Sequence, residues 1–166
     1  MAITGKTRIQ PFNSPFETGV RSLCVLASDM DIELDLQQLS AFDYLVVHTG
    51  DFEAAPSSLH PENPTRNGEL VIRRELVARG LSLMEAKGLV LKTMRPNGFF
   101  YKSTEIGEVF INSLTTPYIV ALRERAIWTI KNYNAFGGNA FPIVFNKAFD
   151  RWSADFHFEQ IAISTR

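Results

Sequence analysis

The stretch from Glu69 to Thr104 constrains the fold most, because its hydrophobic period changes twice within it. From Glu69 to Lys87 the apolar residues Leu70, Val77, Leu81 and Met84 recur at three, four or seven residues, Leu76 and Leu83 widen the stripe, and no proline interrupts it. That spacing predicts an amphipathic helix. Gly88 follows a lysine where the pattern ends, and glycine takes the positive φ that closes many helices. The period then drops to two over Leu89 to Met94 and Phe99 to Ser103. Between them, Arg95-Pro96-Asn97-Gly98 has turn chemistry, so a β-hairpin is predicted. Thr104 reads as the N-cap of a short helix from Glu105 to Leu114, with an acid in its first turn where the helix dipole favours it. Helix, hairpin and helix in this order make the second half of a winged helix-turn-helix.

The rest of the chain adds helices before and after this unit. Residues 1–13 are polar and aperiodic, an N-terminal arm. Ser14-Pro15-Phe16-Glu17 is a helix start with a capping serine, a proline at the first helical position and a glutamate to close a capping box, and Phe16, Val20, Leu23, Cys24 and Ala27 form its apolar stripe. Cys24, inside that stripe, reads as a core residue. A second helix starts after Asp35, with Gln38 completing another box, turns Leu39, Phe42, Leu45 and Val46 inward, and is expected to stop at Gly50. A loop with three prolines fills residues 51–68. Thr116-Pro117 opens a last helix, carrying Tyr118, Leu122, Ile127 and Ile130 to about Asn134. The fold class expected is thus α+β, mainly α: a winged-helix-like domain over residues 14–135 with a long loop between its second and third helices. A Phe-rich C-terminal extension follows over 136–166. Six of the thirteen phenylalanines fall in those last 31 residues, with Trp152 among them. Phe141, Phe145, Phe149, Trp152, Phe156 and Phe158 either complete the domain's own core or dock on another chain.

Charge and motif content narrow the function. With 17 basic residues against 18 acidic ones, no global field draws the chain to nucleic acid. The wing residues Lys92, Arg95 and Lys102 are the candidate DNA contacts, a sparse patch beside Phe99, Phe100 and Tyr101; the competing expectation is that these rings pack the wing onto the first helix. A DNA-reading helix-turn-helix joins its two helices through a turn of ~3–4 residues, whereas about eighteen intervene here. Glu69 lies four residues before Arg73 and Glu75 four before Arg79, so both arginines are expected to pair along the third helix. One cysteine excludes an internal disulfide. His48, His60 and His157 lie apart, and His48-Thr49-Gly50-Asp51 lacks a supporting acid, cysteine or nucleophile motif. No phosphate-binding glycine loop occurs, no apolar run is long enough to span a membrane, and Lys6 and Arg8 precede no hydrophobic signal core. These features predict a cytoplasmic protein with no catalytic, cofactor or metal site.

Five stretches taken together carry a resemblance: the run Pro11 to Gly19, the run Phe42 to Asp51, Leu59-His60-Pro61, Arg73-Arg74-Glu75-Leu76, and Leu122-Arg123-Glu124-Arg125-Ala126. In this order the chain resembles the middle component of bacterial ABC-type three-component conflict systems, a family that looks related to the small third subunit of Lamassu-type anti-phage systems. The resemblance spans most of residues 11–134 and does not cover the Phe-rich segment beyond Gly138. It implies a winged-helix adaptor working beside an ATPase of the ABC or SMC type and an effector, often a nuclease. On that reading the protein is a non-enzymatic subunit of a hetero-oligomer that meets DNA only through the complex. The alternative is a winged-helix DNA-binding regulator.

Overall fold

The computed structural model describes residues 14–52, 54–61 and 66–135, with backbone alone at 51, 66–72, 134 and 135. The elements are α1 (Pro15–Ala27), β1 (Leu34–Asp35), α2 (Leu36–Leu45), a 3-10 turn (Thr49–Asp51), α3 (Arg66–Ala86), β2 (Val90–Arg95), β3 (Gly98–Ser103), α4 (Glu105–Ser113) and α5 (Pro117–Ala135). The chain is α+β and mainly helical, with one three-stranded antiparallel sheet in the order β1-β3-β2.

Local chemistry fixes the boundaries. Ser14 and Glu17 form a capping box at α1, as do Asp35 and Gln38 at α2, each satisfying two backbone donors that a helix start leaves open. Gly88 ends α3 at φ 72°: its N–H donates to Glu85 O and the Leu89 N–H to Met84 O, the paired bonds of a Schellman cap. Between β2 and β3 the turn falls on Pro96-Asn97, and Gly98 takes the positive φ of 128°. Thr104 then caps α4 through Gly107 N–H, and its hydroxyl donates to Gly88 O at 2.7 Å, so the end of α3, the foot of the hairpin and the start of α4 are tied at one point. Gly107 sits against Leu89 O so closely that only glycine fits.

The buried apolar residues of α1, α2, α3, β2, β3, α4 and α5 form one contiguous cluster. Two of its helices, α1 and α3, touch backbone to backbone where Gly19 faces Gly80; a methyl on Gly80 would lie 2.5 Å from Gly19 N and 2.7 Å from Pro15 O. Removing both Cβ atoms lets the two backbones touch, and Leu23, Val77, Leu81 and Met84 then pack on either side with no measurable exposure.

Several expectations need correction. Helix α2 ends at Leu45, with Val46 as its cap, and Gly50 lies in the 3-10 turn instead of closing α2. Helix α3 starts at Arg66, which shortens the loop. Phe16 is 48% exposed, because it lines a groove open to solvent instead of packing into the core. Ile127 is 50% exposed, because α5 buries Leu122, Ala126 and Ile130 and residue 127 lies about 100° round the helix from 126. The hairpin aromatics divide. Tyr101 is buried opposite Lys92, whereas Phe99 remains exposed at the hairpin tip beside Met94, so only part of the trio packs inward. Among the described residues no helix is long and apolar enough to cross a membrane.

Candidate functional site

Four of the five stretches behind the resemblance converge on a buried polar circuit, and the fifth holds the loop beside it. Arg21, on the inner face of α1, donates from Nε to Asp43 Oδ1 at 2.7 Å and from Nη2 to Asp43 Oδ2 at 3.3 Å and Thr18 Oγ1 at 3.2 Å. Arg73 reaches from α3 to the same carboxylate, Nη1 to Oδ2 at 2.5 Å. Asp43 is fully buried and Arg21 almost so. Arg73, expected to pair with Glu69, reaches inward to a desolvated carboxylate shared between two guanidiniums, a strong charge-assisted contact; the Glu69 side chain lies outside those described. Arg79 does pair with Glu75, on the exposed side.

From Arg73 the contacts continue through aromatic rings. Its guanidinium lies 5.6 Å from the centre of the Tyr44 ring, Tyr44 packs on His48 at 4.3 Å between centroids, and the His48 and His60 rings meet edge to face at 6.3 Å. His60 Nε2 and the Tyr118 hydroxyl are 2.9 Å apart, and Tyr118 bonds back to Arg21. Thus α1, α2, α3, α5 and the α2–α3 connection are joined in a closed ring of side chains. Arg125 pins the connection from below, donating from Nε to Ser57 O at 2.8 Å, from Nη2 to Ser57 Oγ at 3.3 Å and from Nη1 to Ala121 O at 2.9 Å. Val47 O accepts from both Leu59 and His60 N–H. The Pro-rich loop is therefore anchored at its described end.

Burial disfavours the Arg21 charge, but the Asp43 carboxylate and the Tyr118 hydroxyl together more than offset it and raise its pKa above the ordinary guanidinium value. Burial and the positive charges of Arg21, His48 and Arg73 lower the His60 pKa from 6.5 to about 4. Above about pH 6.5 this ring is neutral whether the chain is folded or not. Between 6.5 and 4 the unfolded chain takes up a proton that the folded ring refuses, so stability should fall as pH drops through that window and level off below about pH 4. Urea midpoints measured from pH 7.5 to 4 test this: His60→Gln should flatten the decline, and an unchanged slope would exclude His60 as its cause. Cys24 is buried and its thiol is pushed up to about 12 by burial, which makes it a poor nucleophile.

A half-open groove lies next to the circuit. It encloses about 300 Å³ between α1, the end of α4 and the start of α5, with mostly apolar walls that also include Glu17, Arg21 and Tyr118. On the β2–β3 hairpin, Lys92 Nζ lies 4.3 Å from the Phe99 ring centre, Arg95 is paired with Glu33 and stacks on Phe100, and Lys102, opposite Leu91, shares the face of Arg95 and Phe100. Phe141, Phe145, Phe149, Trp152, Phe156 and Phe158 lie outside the described residues. Among the described residues no group of three or more His, Cys, Asp and Glu side chains is placed to hold a metal ion. What the sequence reading missed was the circuit. Its signal was the placement of Thr18 and Arg21 in the buried phase of α1 and of Asp43 in that of α2.

The family model for Middle Component 2 of ABC-three component systems matches residues 11–155 of this chain. The chain belongs to that family. The match runs past Gly138 to residue 155, so it takes in Phe141, Phe145, Phe149 and Trp152, further than the resemblance drawn from the five stretches. No curated protein and no solved structure matches the chain.

Proposed function

We propose that this middle component is a non-enzymatic adaptor in a bacterial anti-phage or anti-plasmid defence complex, akin to the small third subunit of Lamassu-type systems. It would bridge an ABC- or SMC-type ATPase and an effector, a nuclease, and hold the effector silent until the ATPase engages foreign DNA. In this reading the chain is a winged-helix-like subunit: helix, short strand, two helices, hairpin, with the first strand added beside the second hairpin strand, is the order such domains use. The observation that carries the adaptor reading over a DNA-reading one is the charge on α3. The helix that would enter the major groove commits Arg73 to buried Asp43 and Arg79 to Glu75, and Arg95 of the wing is engaged by Glu33. Family membership supports the rest: a middle component works with the other components of its system.

Co-expression with the products of its flanking genes tests the proposal. A complex of fixed stoichiometry containing the ATPase and the effector is expected on size-exclusion chromatography, and failure of either to co-elute would remove the bridging role. The lone chain should bind duplex DNA weakly. Two or three wing cations release few counterions, so affinity by fluorescence anisotropy should drop about 10- to 40-fold between ~50 and ~200 mM salt. Tight, sequence-selective binding that survives physiological salt would establish the regulator instead.

A further inference from the structure

We infer that the groove between α1, α4 and α5 is a receptor for this chain's own Phe-rich segment, filled by Phe145 and Phe149. The inference does not depend on the adaptor reading. The apolar wall residues are Phe16, Val20, Phe110, Leu114, Ile119 and Leu122, and Phe16 stands 48% exposed at the rim. A cavity of about 150 Å³ lined by such residues is known to hold a benzene ring. This one, at about 300 Å³, has room for two phenyl groups.

Reach limits the occupants. The groove is built on the first turns of α5, and the described chain ends at Ala135, the other end of the same helix. From Ile119 to Ala135 the helix rises about 24 Å. The segment must double back over that distance. At ~3.4 Å per extended residue, Phe141 covers only about 20 Å, whereas Phe145 covers about 34 Å and reaches the groove with slack. Phe149, four residues on, can present its ring on the same side as Phe145 if that stretch is helical. Two further observations favour an intramolecular occupant. The family match continues to residue 155, so this part of the segment belongs to the shared family unit. A tether of this length also presents the rings at an effective concentration near ~1 mM, which a separate protein partner does not match in a cell.

The test is photo-crosslinking in the full-length chain. p-Benzoylphenylalanine replaces Phe16 in one variant and the exposed groove residue Thr116 in another. On irradiation a crosslink is expected within the monomer-mass species, mapped by peptide mass spectrometry to the tryptic fragments ending at Lys147 and Arg151. It should be lost when Phe145→Ala and Phe149→Ala are introduced together, with the helical circular dichroism of residues 14–135 retained. Crosslinks found only in a dimer band would mean that a second copy fills the groove, and crosslinks only to a co-expressed subunit would mean that a partner does. Either result, or a crosslink that persists without the two rings, would overturn the assignment.

Discussion

Replacing Asp43 by alanine is expected to lower the stability of the folded chain by ~3–5 kcal/mol, because it leaves two arginines facing one another inside the protein with no counter-charge. Arg21 is 3% exposed and Arg73 11%, so water cannot substitute for the carboxylate without opening the core. Against a total of ~5–15 kcal/mol the loss is large, and for a chain of this size it corresponds to a drop in melting temperature of roughly 6–20 °C. A second variant separates the ion triad from the space it fills. Arg21→Met, Asp43→Leu and Arg73→Met together remove every charge and keep the volume, and that triple variant should be far milder than the single one, because buried ion clusters gain little over a well-packed apolar core. Urea denaturation of the two variants side by side decides the matter. If Asp43→Ala melts within a degree or two of the parent protein, the three side chains do not share a buried site.

Gly80→Ala is expected to destabilise, reversing the usual sign for a glycine inside a helix. Glycine to alanine in a helix interior ordinarily gains ~1 kcal/mol. Here the new methyl would meet Gly19 N at 2.5 Å and Pro15 O at 2.7 Å, both of them backbone atoms of α1 that cannot rotate away. The helices must part, loosening Val77, Leu81 and Met84, at a cost of ~1–3 kcal/mol or more. Gly19→Ala meets Gly80 O at 2.8 Å and should act in the same way. Because one outward shift of α1 relieves both clashes, the double variant should cost less than the sum of the two, a non-additivity that thermal melts can read directly. A rise in melting temperature for Gly80→Ala would show that α1 and α3 do not cross at these residues.

Much of the secondary structure was legible because it is specified locally. Ser14 with Glu17, Asp35 with Gln38, Thr104, Gly88 and Pro96 through Gly98 each solve a boundary problem within a few residues, and each does so where the sequence indicated. Strand β1 escaped because two residues have no period; Leu34 and Asp35 are a strand only because Tyr101 and Phe100 pair with them. The buried contact of Arg73 escaped for a related reason. The pairing rule for residues four apart describes a helix surface in water, and it cannot anticipate a carboxylate thirty residues away at a desolvated site. The candidate site was half visible. The stretches around Asp43, His60, Arg73 and Arg125 stood out individually, but what unites them is a tertiary ring that spacing alone cannot express.

The sheet order also imposes a timetable on synthesis. The middle strand of the sheet is the last to be made, and Asp35 waits for Phe100, about 65 residues downstream. At ~5–20 residues per second a ribosome needs roughly 3–13 s to supply that partner. During this interval α1 and α2 can already associate through Arg21 and Asp43, a pairing available within the first 43 residues, while the edge that receives β3 stays open. The ion pair thus joins residues made early, whereas the sheet closes on the strand made last. Slowing translation between codons 44 and 100 should lengthen the exposure of that unpaired edge without disturbing the first helical pair.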